Sequence, residues 1–189
     1  MDAGLAAVLG ALAGAVATTA AALATGWSAR EQAKITARGE HRRQRRDARQ
    51  AVYEEFITTA AAQERHAALF FLAPVPTDQE TFDLALRGSG NTDAEALWQE
   101  SHRLWTELLK LSTRVKLAGP RMMSEAATAV CECSHHVVDS LMTVDNGLIG
   151  GEPISARFEE GRERWMKLDD AVDEFIEKAR LALDDDGTY

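Results

Sequence analysis

The sequence predicts an all-α protein: an N-terminal transmembrane helix that continues into a long stalk helix, followed by an antiparallel four-helix bundle. Three observations carry this reading. From Ala3 to Trp27 there are 25 residues without a charge, and a dense cluster of arginines follows. Through the rest of the chain apolar residues recur three or four apart, which is the period of one helix face. Strand signals, meaning polar–apolar alternation rich in β-branched and aromatic residues, are almost absent.

The first element is read as a membrane span, since about 20 apolar residues cross a ~30 Å hydrocarbon core. Its composition is eleven Ala, four Gly, four Leu, three Thr, two Val and one Trp. Ala and Gly contribute little transfer energy, so insertion is expected to be weaker than for a Leu-rich span. Trp27 closes the stretch where an indole suits the interface. A cleaved signal peptide fits less well, although Ala22-Leu23-Ala24 would suit a peptidase. The leading Met1-Asp2 has no Lys or Arg, and the apolar run is longer than a signal peptide needs. Gly10-x-x-x-Gly14, extended by Ala7 and Ala17, has the spacing that lets two helices approach closely in a membrane. A tract this rich in Ala and Gly also produces that spacing by chance.

Orientation follows from the flanks. Residues 30–50 carry Arg30, Lys34, Arg38, Arg42, Arg43, Arg45, Arg46 and Arg49 against Glu31, Glu40 and Asp47, a net charge of +5. Positive flanks stay in the cytoplasm. The expected placement is therefore a single-pass protein of the inner membrane, with the N-terminus outside and the C-terminal part cytoplasmic. The collar of basic residues could also bind anionic lipid head groups, at about 1 kcal/mol per basic residue near the surface. As a plain alternative, it serves only as the topology signal. The domain reading is an anchor over 1–29, a basic juxtamembrane collar over 30–50 and a helical bundle over 51–189.

The bundle segment holds 13 Lys/Arg against 26 Asp/Glu, a net charge of −13. Such a body does not attract nucleic acid through its phosphates. Its length is sufficient for one domain with a real core. Cys131 and Cys133 are the two cysteines; one residue apart on a helix, their side chains diverge and do not pair readily. This is no disulfide framework, and it agrees with a reducing compartment.

The first helix of this segment shows an apolar stripe of Val52, Phe56, Ile57, Ala60, Ala67 and Phe70. It should stop near Leu72, because Ala73-Pro74-Val75-Pro76 cannot continue it. Gly39 is its weak point. Residues 77–87 form a short helix, and Gly88-Ser89-Gly90-Asn91 a loop. Thr92 or Asp93 caps the second long helix, which carries Leu97, Leu104, Leu108, Leu111 and Val115, with Trp98 and Trp105 beside them. Gly119-Pro120 makes a sharp corner. The third long helix runs to about Val144, with Ala127, Val130, Ser134, Val137, Leu141 and Val144 facing inward. Asn146-Gly147 and Gly150-Gly151 mark the next loop. The last helix starts near Pro153 or Ser155 and buries Phe158, Trp165, Leu168, Val172, Phe175 or Ile176, Ala179 and Leu183. Short loops between long amphipathic helices, with coiled-coil-like stripes, make an antiparallel bundle.

The densest chemical cluster is Cys131-Glu132-Cys133-Ser134-His135-His136, with Asp139 near. On a helix Cys131 shares a face with His135, and Glu132 with His136. Such pairs can ligate a transition metal, and thiolate with imidazole suits zinc. Cys131, Cys133, His135 and His136 are therefore the candidate metal ligands. Further ligands would have to come from another helix, for example His66 or His102. The competing reading is a small core cysteine on a solvated helix edge. Glu132-x-x-His135 matches half of a di-iron bundle motif, but Gln99-x-x-His102 lacks the second carboxylate. Gly88-Ser89-Gly90 has no following Gly-Lys-Ser/Thr, and neither a Gly-x-Ser-x-Gly elbow nor His-Glu-x-x-His occurs. No catalytic residues are nominated and no cofactor is implied.

Three stretches carry a family resemblance: Arg49-x-x-x-Tyr53-x-x-Phe56, Val115-x-Leu117-x-Gly119-Pro120, and Phe175-x-x-x-Ala179-Arg180-x-x-Leu183. With the N-terminal tract, they resemble uncharacterised actinobacterial small single-pass membrane proteins with a cytoplasmic helical domain. The resemblance implies the architecture and no activity. The expected function is a membrane-anchored binding or scaffolding protein that meets the lipid bilayer and a protein partner or a second copy. The alternative is a metal- or redox-responsive sensor, or a small enzyme, centred on the Cys/His cluster.

Overall fold

The computed structural model describes the backbone of residues 3–91, 93–145 and 153–185, and the side chains of 25–91, 93–143 and 153–184. It is 91% helical, with five helices and no strand among the described residues. They are α1 (Ala3–Phe71), α2 (Gln79–Gly88), α3 (Ala94–Ala118), α4 (Arg121–Asp145) and α5 (Ile154–Asp185). The chain forms two compact units, Met1–Arg45 and Arg46–Tyr189.

The first unit is helical from Ala3 and stays helical through Gly39, where an added Cβ would meet nothing within 4 Å. Every side chain described in it is exposed, Trp27 and Ile35 included. Its local contacts lie along one helix: Thr36 Oγ1 donates to the Gln32 carbonyl at 2.9 Å, and Lys34 lies 3.6 Å from Glu31.

The expectation of a membrane-spanning helix is corrected here. Among the described residues no helix is long and apolar enough to cross a membrane. Length is not the obstacle, since α1 has 69 residues. Apolarity is. From Arg30 onward charged side chains recur every few residues, and a hydrocarbon core tolerates very few of them. The inner-membrane placement, the outside N-terminus and the cytoplasmic C-terminal part all rested on that span and are withdrawn with it. The side chains of residues 3–24, and with them the Gly10/Gly14 spacing, lie outside the described residues.

The second unit is the helical bundle. Its helices run alternately up and down, as the cross-contacts show. Glu55 of α1 meets Arg114 at 2.6 Å, while His66 Nε2 meets the Leu97 carbonyl at 3.1 Å, so α1 and α3 are antiparallel. Tyr53 and Phe56 pack on Phe175, and Phe71 on Phe158, so α1 and α5 are antiparallel as well. Trp105 meets His135 across α3 and α4. Arg157 of α5 donates to the Thr143 carbonyl of α4 at 2.8 Å. The core is one continuous cluster that includes Phe56, Phe70, Phe71, Leu108, Val130, Phe158, Leu168 and Phe175.

Each helix end has a local cause. α1 stops at Phe71, one residue before the expected Leu72, ahead of the prolines. Its freed carbonyls find a distant donor: Arg162 of α5 gives Nε to Phe71 O and a terminal nitrogen to Ala73 O, both at 2.8 Å. α2 begins at Gln79 because Asp78 and Thr81 form a reciprocal capping box. The Asp78 carboxylate accepts from Thr81 N at 2.9 Å, and Thr81 Oγ1 accepts from Asp78 N at 3.2 Å. Asp93 is the N-cap of α3, accepting from Ala96 N at 2.8 Å. Thr92, the side chain of Val144 and the expected loop at Asn146-Gly147 and Gly150-Gly151 lie outside the described residues.

Gly119 turns the α3–α4 corner with φ −107° and ψ 171°, extended backbone open to any residue. Space requires a glycine there: a Cβ would run into the Tyr53 hydroxyl. On α5, Phe175 faces the core while Ile176 is exposed.

Candidate functional site

The structure splits the predicted metal cluster between two neighbours of α4. Cys131 is buried toward α3, with its thiol near Ser112, and burial pushes that thiol above its usual range. His135 also turns to α3, where its ring lies 4.8 Å from Trp105. Cys133 and His136 turn instead toward α5. His135 Nδ1 is 3.3 Å from the Asp139 carboxylate on its own helix. Among the described residues no group of three or more His, Cys, Asp or Glu side chains is placed to hold a metal ion. His66 is engaged with the Leu97 carbonyl, and His102 stacks on Trp98. The supplementary ligands considered from sequence are thus in other contacts.

Cys133 and His136 line a cleft of about 340 Å³ between α4 and α5, together with Glu160, Glu163, Arg164 and Lys167 of α5. Arg164 is a fixed part of its wall. One terminal nitrogen reaches Ser140 Oγ at 3.0 Å and the His136 carbonyl at 3.4 Å, and the other reaches Glu160 at 2.5 Å. Glu163 and Lys167 form no ion pair among the described residues. Burial raises the half-buried Cys133 thiol above its ordinary range, Glu132 adds to this, and Lys167 acts the other way.

On α3 the aromatic and imidazole rings form a column. Trp98 stacks on His102 at 5.0 Å, His102 lies 5.3 Å from Trp105, and Trp105 touches His135. Spacing alone suggested core for the tryptophans, and both are half-buried.

A third feature is an acidic face between α1 and α5. Glu64 sits near Asp169 and Asp173, and its carboxyl is raised above the ordinary glutamate range. Burial is the first cause and repulsion from Asp169 the next; Arg65 pulls the other way. The Trp165 indole N–H also lies near Glu64, but its geometry falls short of a hydrogen bond. Ionising Glu64 is therefore harder in the folded chain than in the unfolded one. Stability is penalised above its folded pKa, and the penalty fades as pH falls toward the ordinary range. Glu64→Gln should raise the urea midpoint of the full chain at pH 7 and leave it nearly unchanged at pH 4. An equal gain at both pH values would rule out an ionisation effect.

The basic collar divides between the two units. Arg30, Lys34, Arg38, Arg42, Arg43 and Arg45 are exposed in the first, and Arg46 is exposed in the second. Arg49 is half-buried and donates Nε to the Ala118 carbonyl at 2.7 Å, closing the C-terminal end of α3. Nothing in its sequence neighbourhood marks this role, because its partner lies 69 residues away.

Comparison with protein-family models, curated proteins and solved structures finds no match for this chain.

Proposed function

We propose that the chain is a helical binding and scaffolding protein whose bundle recruits a basic partner through the acidic face shared by α1 and α5. The observation that carries this reading is the crowding of Glu64, Asp169 and Asp173. Asp169 and Asp173 are exposed, and neither has an ion-pair partner among the described residues. Like charges held this close repel, and a cation placed among them relieves that repulsion and the raised Glu64 pKa together. The excess of 13 negative charges over residues 51–189 extends the same field across the bundle and speeds encounter with a basic surface. Either a second protein or the +5 segment of another copy has the required chemistry.

The test is purification of the tagged full-length protein from its native lysate at low salt, with mass spectrometry of what is retained. The expected result is one basic partner, or additional copies of the chain, at near-stoichiometric yield. High salt should release it, since exposed charge pairs are screened within about 3 Å at 1 M ionic strength. The triple variant Glu64→Gln, Asp169→Asn, Asp173→Asn should retain none. Recovery of the protein alone, or a partner indifferent to salt and to the triple variant, overturns the reading.

A further inference from the structure

We infer that the α4–α5 cleft is a binding site for a small zwitterion of the α-amino-acid type, its carboxylate held by Lys167 and its ammonium by Glu163. The argument starts from a pairing that does not form. Glu163 and Lys167 are four residues apart on α5, with the acid N-terminal to the base, the order in which such pairs close most readily. Other pairs of this spacing on α5 do close: Glu160 with Arg164 at 2.5 Å and Glu174 with Lys178 at 2.6 Å. Glu163 and Lys167 instead both line the cleft, with no ion pair among the described residues. One turn of helix separates a free anion from a free cation, roughly 5–6 Å between Cβ atoms. An ammonium and a carboxylate on one small molecule bridge such a gap in complementary order.

The surroundings fit that guest. Arg164 is held by Ser140, the His136 carbonyl and Glu160, so it forms a fixed wall without competing for the ligand's carboxylate. His136 is exposed at the rim and offers a ring nitrogen. The half-buried Cys133 supplies a soft, weakly polar surface for a side chain. A volume of about 340 Å³ stands at the low end of small-molecule pockets, which run from roughly 300 to 1,000 Å³. That suits a single amino acid. The site is separate from the acidic α1–α5 face and does not depend on it.

Cys133 makes the site directly readable. The full-length protein is treated with iodoacetamide, and the alkylation rate of each cysteine is followed by peptide mass spectrometry. The free amino acids are added one at a time at millimolar concentration. At least one should slow Cys133 saturably while buried Cys131, the internal control for unfolding, is unaffected. Lys167→Met and Glu163→Gln should each raise the half-protecting concentration about tenfold or more, the worth of one charge-assisted hydrogen bond. Acetate and ethylammonium, which carry one charge each, should not protect at the same concentrations. The proposal is overturned if no amino acid slows Cys133, if acetate or ethylammonium protects equally, or if both variants retain full protection. Circular dichroism of each variant confirms that the helices are intact.

Discussion

Phe158→Ala should cost about 3–5 kcal/mol, the range for emptying a buried aromatic site. Phe158 is fully buried, with its ring centroid 5.2 Å from Phe70 and 5.6 Å from Phe71, both at steep interplanar angles. Phe82 joins the same cluster through Phe70 at 5.9 Å. Edge-to-face pairs of this kind add to burial alone. The ring also lies beneath the Arg162 guanidinium, 5.4 Å away, so its loss loosens the side chain that closes the end of α1. Four rings from three helices meet here. Urea unfolding followed by tryptophan fluorescence reads the change. A loss below 1 kcal/mol would show that the cluster is not packed as described.

Gly161→Val sets two principles against each other. Glycine within a helix is about 1 kcal/mol worse than alanine, so propensity predicts that replacing it helps. Packing predicts the opposite, because a Cβ at 161 would overlap two ring carbons of Phe71 and press on Ser140 Cβ. Phe71 is fully buried and already packed against Phe70 and Phe158. Overpacking of this kind costs typically 1–3 kcal/mol, and a β-branched residue regains little propensity, so packing should win. The double variant with Phe71→Leu should recover part of the loss, because the two sites share one volume. A stabilised Gly161→Val protein would mean that α1 and α5 lie further apart than the contact implies.

The elements were largely legible in the sequence, because each boundary has a local cause. Proline cannot continue α1, Gly119-Pro120 turns the corner, and Asp93 caps α3. The start of α2 was less visible, since its capping box uses Thr81 where Glu or Gln is usual. The candidate site was legible only in part. Spacing says which residues share a face, not which helix lies opposite. α4 sits between α3 and α5, so the compact stretch 131–136 is shared between two neighbours: Cys131 and His135 to one, Cys133 and His136 to the other. Two of the six residues lining the cleft are Glu163 and Lys167, which in sequence look like an ordinary solvated pair. Buried polarity was equally hidden. Gln63 is fully buried within an otherwise apolar stripe, and its side-chain amide has no hydrogen-bond partner among the described residues. The membrane expectation rested on an uncharged tract whose side chains lie mostly outside the described residues, and no described helix is long and apolar enough to cross a membrane.

The way α5 completes α1 bears on the order in which the protein can be made. Phe56 and Phe71 of α1 pack on Phe175 and Phe158, and the carbonyls at the end of α1 are closed by Arg162. On a ribosome, at roughly 5–20 residues per second, these partners emerge many seconds after the helix that needs them. During that interval the aromatic stripe of the nascent α1 has only α2, α3 and α4 to cover it. The bundle therefore becomes complete only once α5 has emerged. A chain truncated before Phe158 should expose that stripe and be recognised by the chaperones and proteases that patrol unfinished proteins.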